Sequence, residues 1–97
     1  MALGYLIAQI DVHDLDAYSK YTAQTPGIAA DYGGKFIVRA GQCEALEGPA
    51  PGPRVVMIEF PSYARAKEFY YSDEYQAIVG VRHGASTGSA FVVEGAD

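Results

Sequence analysis

The chain has no tryptophan, one cysteine, two histidines and two methionines among its 97 residues. A single thiol, Cys43, excludes an internal disulfide and a multi-cysteine zinc site, and it suits a reducing cytoplasmic setting. Bases are also scarce: seven Lys and Arg stand against twelve Asp and Glu, for a formal charge of −5 and a pI near 4.8. A surface built to neutralise phosphates carries the opposite sign, so nucleic acid and anionic membranes are excluded as partners. No apolar run approaches the roughly 18 residues of a membrane span. Met1–Ile10 lacks a basic start and a cleavage site, so no leader is expected. Internal repeats, low-complexity tracts and long linkers are missing as well, and residues 1–97 read as one small domain. What remains is 49% hydrophobic and 20% charged, the make-up of a packed chain with both helices and strands.

Leu3–Val12 alternates, with Leu6, Ala8, Ile10 and Val12 on one side and Tyr5, Ile7, Gln9 and Asp11 on the other, which predicts a strand. Asp14 is placed to cap a helix that buries Leu15, Tyr18, Tyr21 and Thr22. Thr25-Pro26 breaks it, with Thr25 read as the cap of a second segment that buries Ile28, Ala29 and Tyr32 and ends at Gly33-Gly34. A second strand spans Lys35–Ala40, with Phe36, Val38 and Ala40 on one face and Lys35, Ile37 and Arg39 on the other. Gly41–Pro53 reads as a loop, within which Cys43–Glu47 is the segment able to add a short edge strand. Arg54–Phe60 is the third strand, with Val56, Ile58 and Phe60 opposing Val55, Met57 and Glu59. Ser62 caps a helix turning Tyr63, Ala66, Phe69 and Tyr70 inward. Ser72-Asp73-Glu74 starts another, with Tyr75, Ile78, Val79 and Arg82 on one side and Gly84 as its stop. Ala90–Glu94 is the last strand, with Phe91 and Val93 taken as its core side. The order predicts an α+β, ferredoxin-like βαββαβ domain: a four-stranded antiparallel sheet with helices on one face.

Two helical units cover one face of such a sheet and leave Tyr5, Ile7, Ile37, Val55, Met57 and Val92 on the other, mixed with Gln9, Arg39, Glu59 and Glu94. That much apolar surface, on the order of several hundred Å², exceeds what soluble monomers usually expose. The expected cover is a second copy of the sheet, giving a homodimer closed face to face.

Gly4-Tyr5, the stretch Tyr32-Gly33-Gly34-Lys35-Phe36-Ile37-Val38-Arg39-Ala40-Gly41 and Leu46-Glu47-Gly48 resemble a known family. So do Ile58-Glu59-Phe60-Pro61-Ser62, Tyr70-Tyr71-Ser72-Asp73-Glu74-Tyr75-Gln76, Arg82 and Val93-Glu94-Gly95. Covering nearly the whole chain in the family's order, they resemble domain-of-unknown-function family 1330, a branch of the dimeric α/β-barrel superfamily. Phe69-Tyr70 stands where the family often has Trp-Tyr, and Asp73 where it often has Pro. The resemblance implies a ferredoxin-like protomer paired into a barrel and carries no reaction with it. The wider superfamily includes cofactor-independent monooxygenases and isomerase-like enzymes, with sites between sheet and helices or within the barrel.

The residues set around a pocket by this reading are Tyr70, Tyr75 and Arg82 from the second helical unit, with Arg39 and Glu59 from the sheet. Mixed aromatic and charged walls suit a small aromatic or carboxylate-bearing molecule. Glu59 is the candidate general base and Arg39 the anion anchor for proton transfer or O₂-dependent oxidation without a metal or nucleotide cofactor. Ser72 is explained by capping, His13 by exposure at a turn, and His83 by the helix C-terminus beside it. An RNA-recognition module needs exposed aromatics and basic flanks on its third strand; Arg54-Val55-Val56-Met57-Ile58-Glu59-Phe60 in an acidic chain does not supply them. Two functions stay open: a small cofactor-independent enzyme, monooxygenase- or isomerase-like, and a non-catalytic ligand-binding or structural homodimer.

Overall fold

A computed structural model describes residues 2–96. It orders them as β1 (Gly4–Val12), α1 (Leu15–Thr22), α2 (Thr25–Asp31), β2 (Lys35–Arg39), β3 (Arg54–Phe60), α3 (Tyr63–Tyr71), α4 (Asp73–Ala85) and β4 (Ser86–Glu94). The strands form one antiparallel sheet in the order β2-β3-β1-β4, the split βαβ arrangement. Leu6, Ala8 and Ile10 of β1 and Val56, Ile58 and Phe60 of β3 face the helices and are buried with Ala29, Ala66, Phe69, Ile78 and Val79.

Side-chain caps set the helix starts. Asp14 accepts from the Ala17 N–H at 3.1 Å, and Ser62 accepts from the Arg65 N–H at 3.0 Å. Ser72 joins α3 to α4: its hydroxyl donates to the Phe69 carbonyl at 2.7 Å and accepts from the Tyr75 N–H at 3.2 Å. One side chain thus satisfies an orphan carbonyl and an orphan N–H where two helices meet. Thr25 does not cap α2, whose N-cap is Gln24; the Thr25 hydroxyl donates back to the Tyr21 carbonyl at 2.7 Å and ties α2 to the end of α1.

Several other expectations are corrected. Gly84 lies inside α4, and β4 begins directly after that helix at Ser86, four residues before Ala90. Leu15 is 70% exposed at the first turn of α1, Tyr63 is exposed, and Cys43–Glu47 forms no strand. The faces of β4 are reversed. Val92 stands opposite Leu6 and Ala90 opposite Ala8, so both point to the helices, while Phe91 and Val93 stand opposite Ile7 and Tyr5 on the open face, 49% and 41% exposed. Alternation gives a strand its period, but pairing with β1 sets its phase. Ala90 and Val92 then pack with Tyr70 of α3 at the margin of the core.

The second reversal is in β2. Lys35 pairs with Glu59 and Phe36 with Ile58, but then Val38 pairs with Met57 and Arg39 with Val56. Ile37 is the extra residue of a β-bulge, and beyond it the parity of the strand inverts. Val38 therefore joins Met57 on the open face, and Arg39 joins Val56 on the helix face, the opposite of the expected arrangement.

Gly4 abuts the start of α3, and a Cβ there would run into the Ser62 carbonyl and the Tyr63 backbone. Gly4→Ala is expected to cost about 1–3 kcal/mol by overpacking. Gly80, on the exposed side of α4 with nothing near its added Cβ, should gain roughly 0.4–1 kcal/mol as Gly80→Ala. Urea midpoints of the two variants, moving in opposite directions from the parent, check both expectations.

Candidate functional site

Between α1, α2 and the helix-side face of the sheet lies a cavity of about 80 Å³. Sheet residues Leu6, Ala8, Ile10, Val56 and Ile58 form its floor, and Tyr18, Tyr21, Thr22, Thr25 and Pro26 its roof. Arg39 from β2, Arg54 from β3 and Arg82 from α4 complete the walls, and no Asp or Glu among the described residues lines it. Each arginine is delivered by a different rule. Arg54 is two residues before Val56 and shares its inward parity; Arg39 is turned inward by the bulge; Arg82 lies one helical turn beyond Ile78 on the buried stripe of α4.

The three guanidinium groups are balanced mainly by aromatic faces. Arg39 lies 4.2 Å from the ring centroid of Phe36, Arg54 5.3 Å from that of Tyr18 and Arg82 5.9 Å from that of Tyr21. Such contacts are worth about 0.5–2 kcal/mol each; Arg39 is exposed and Arg54 half-buried, so it is at Arg82 that they fall short of the several kcal/mol a desolvated charge costs. Arg82 is only 6% exposed, and its side-chain hydrogen bond among the described residues is a long one, 3.4 Å to Nε2 of His83. Nε of Arg54 is buried with no hydrogen-bond partner among the described residues. Donors so placed favour a ligand that brings negative charge and acceptor oxygens.

Beside Arg82 the hydroxyls of Tyr21 and Tyr75 share a hydrogen bond of 2.6 Å, their rings edge to face with centroids 6.0 Å apart. Burial pushes both phenols above the ordinary tyrosine range, against a smaller downward pull from the Arg82 charge. Both hydroxyls therefore keep their protons at neutral pH and serve as donors.

Of the five residues proposed from the sequence, Arg39 and Arg82 are brought together in this cavity. Glu59 is not. It lies on the opposite face of the sheet, where one carboxylate oxygen is 3.7 Å from Lys35 Nζ and the other accepts from the Tyr5 hydroxyl at 3.5 Å. The register pairs Glu59 with Lys35, the cation it meets, and the bulge turns Arg39 to the other face. Tyr75, 1% exposed, does not line the cavity but orients Tyr21, which does. Tyr70 packs on Tyr75 at 5.4 Å, lines one cleft with Lys67, Tyr71 and Phe91, and shares a second with Arg82, His83 and the first residues of β4. Arg54, Tyr18 and Tyr21 were missed as site residues; the parity of Arg54 with Val56 was the legible signal for the first. Among the described residues no group of three or more His, Cys, Asp or Glu is placed to share a metal ion.

A single antiparallel sheet in the order β2-β3-β1-β4, with helices on one face, defines a ferredoxin-like α+β domain. The chain belongs to the family described as Domain of unknown function (DUF1330), whose pattern matches residues 3–96. No curated protein matches it in sequence. Among solved structures it is similar to the RPA0582 protein of unknown function from Rhodopseudomonas palustris, with 20% identity over 96% of this chain and 80% of that one and a TM-score of 0.73. It is also similar to SnoaB, a cofactor-independent oxygenase from Streptomyces nogalater, with 10% identity, coverage of 100% and 96%, and a TM-score of 0.67. A dimeric ferredoxin-like protein of unknown function from Thermobifida fusca gives 12% identity, coverage of 99% and 92%, and a TM-score of 0.60. At these identities the likeness is one of fold.

The tyrosine pair yields a pH prediction. Phenols with raised values bind their protons more tightly in the folded state, so their contribution is intact below the unfolded value near 10 and is lost as pH climbs beyond it. Urea midpoints should hold below pH 9 and fall between pH 10 and 11. Tyr75→Phe should cost about 1–3 kcal/mol at neutral pH by unpairing Tyr21, with a shallower alkaline fall than the parent.

Proposed function

We propose that the protein is a homodimeric α/β barrel in which each subunit binds a small organic anion between sheet and helices. The observation carrying this reading is the convergence of Arg39, Arg54 and Arg82 on one cavity whose lining, among the described residues, holds no carboxylate. Three of the chain's seven basic residues meet there although its formal charge is −5, so the cluster does not follow from general basicity. An arginine fork matches a carboxylate or an enolate oxygen pair, and Tyr21 adds a neutral donor.

The open face supports the dimer. Tyr5, Ile7, Val38, Val55, Met57, Phe91 and Val93 share it, and none of the helices covers it. Burying several hundred Å² of such surface at ~25 cal/mol per Å² is worth roughly 10 kcal/mol gross, enough to exceed the lower range of association costs. Glu59 enters that interface already partnered by Lys35 and Tyr5, which limits the cost of burying its charge. The dimeric Thermobifida fusca protein of the same fold is a precedent for two-copy assembly. The exposed, lone Cys43 fits a reducing cytoplasm, and among the described residues no helix is long and apolar enough to cross a membrane.

A second reading, turnover without a cofactor, is favoured by the Tyr21–Tyr75 hydroxyl pair beside Arg82. The donors that hold a carboxylate would equally stabilise an enolate or phenolate formed from a bound substrate, the task of an oxyanion site. SnoaB is a cofactor-independent oxygenase on the same fold; fold alone does not carry its chemistry across.

Light scattering at micromolar concentration is expected to give twice the 10.4 kDa of one chain, and Met57→Glu on the open face to give the single mass. A parent at the single mass removes the dimer. In an NMR titration acetate should shift amide signals around Arg54 and Arg82, uncharged acetamide should not, and Arg54→Gln should weaken acetate at least about tenfold. Equal responses to acetate and acetamide would remove the anion site.

A further inference from the structure

The floor of the cavity is graded. Strand register lays the inward side chains in three successive rungs: Leu6, Ile58 and Phe36; then Ala8, Val56 and Arg39; then Ile10 and Arg54. Rungs on one face are two residues, about 7 Å, apart. The first rung is wholly apolar, the second carries one cation at its edge, and the third brings Arg54, with its unpartnered Nε, into the same cavity as Arg82 of α4. Apolar surface thus lies at one end and positive charge at the other.

We infer that the ligand is a short-chain monocarboxylate of three or four carbons, its carboxylate at Arg54, Arg82 and Arg39 and its alkyl tail over Leu6, Ala8 and Ile58. This rests on the anion-binding reading and narrows it. Inorganic phosphate leaves the apolar rung against water. A dicarboxylate puts a second charge where no donor meets it, at a desolvation cost. Size sets the upper limit: an apolar cavity of about 150 Å³ holds the six carbons of benzene, and the 80 Å³ here, about half of that, has room for an alkyl tail of about three carbons and none for an aromatic ring. An acid of three or four carbons fills it, with its carboxylate at the arginine end.

The test is a titration of the full-length protein, followed by NMR, with acetate, isobutyrate, succinate, benzoate and inorganic phosphate as separate probes. Isobutyrate carries two more carbons than acetate, each worth about fourfold, and should bind on the order of tenfold tighter. It should also exceed succinate, benzoate and phosphate. Ala8→Val narrows the tail end without changing charge and should remove the advantage of isobutyrate over acetate. Should that variant not fold, Arg39→Gln at the exposed edge of β2 serves instead: all carboxylates weaken together while isobutyrate keeps its advantage over acetate. Phosphate or succinate binding as well as isobutyrate overturns the monocarboxylate and leaves the anion site standing; benzoate binding tightest overturns the size limit alone. Loss of every anion response overturns this inference and the reading beneath it.

Discussion

A strand sends successive side chains to opposite faces, and one inserted residue reverses everything after it. Ile37 is that residue here. Without the bulge, Arg39 would stand opposite Val55 on the open face, four residues along β3 from Glu59, and the helix-side cavity would have two cations. With it, Arg39 crosses to join Arg54 and Arg82, and Val38 takes its place among the apolar side chains of the open face. The same event thus concentrates charge on one side of the sheet and removes it from the other. Glu59 is left with Lys35, its pair across β2 and β3, and with Tyr5.

The third cation depends on packing between helices. Phe60, Phe69 and Tyr75 stack in sequence with centroids 5.2 and 4.6 Å apart, and Tyr75 meets Tyr21 through both ring edge and hydroxyl. This column runs from β3 through α3 and α4 to α1. Each pair contributes about 0.5–1.5 kcal/mol beyond its buried area, and together they hold α4 so that Arg82 reaches the cavity rather than solvent. The side chain's burial is costly, and the Tyr21 face and the His83 ring nitrogen offset only part of it.

Charge and apolar surface are therefore segregated by face. The helix side holds an aromatic core with a basic inlet, while the open side presents Phe91, Val93, Ile7 and Met57 around one paired carboxylate. The proposed dimer and the proposed anion site draw on different faces, so assembly leaves the arginines where they are. Membership of a family without an assigned reaction leaves chemistry to the site itself, and the site argues for anion recognition before it argues for turnover.

The element order, the caps at Asp14, Ser62 and Ser72, and the buried faces of β1 and β3 were legible from residue pattern, because capping geometry and period-two or helical spacing are local properties. The inward parity of Arg54 was equally local and went unused. The phase of β4 was not legible, since Phe91 and Val93 are as apolar as the inward pair Ala90 and Val92, and only pairing with β1 decides between them. Nor was the bulge: nothing in Lys35–Arg39 marks Ile37 as the residue to be skipped, and the skip exists only relative to β3. Local pattern determined which segments are strands and helices and where they begin. Hydrogen bonding between distant segments decided which way the strands face, and with it which charges share a cavity.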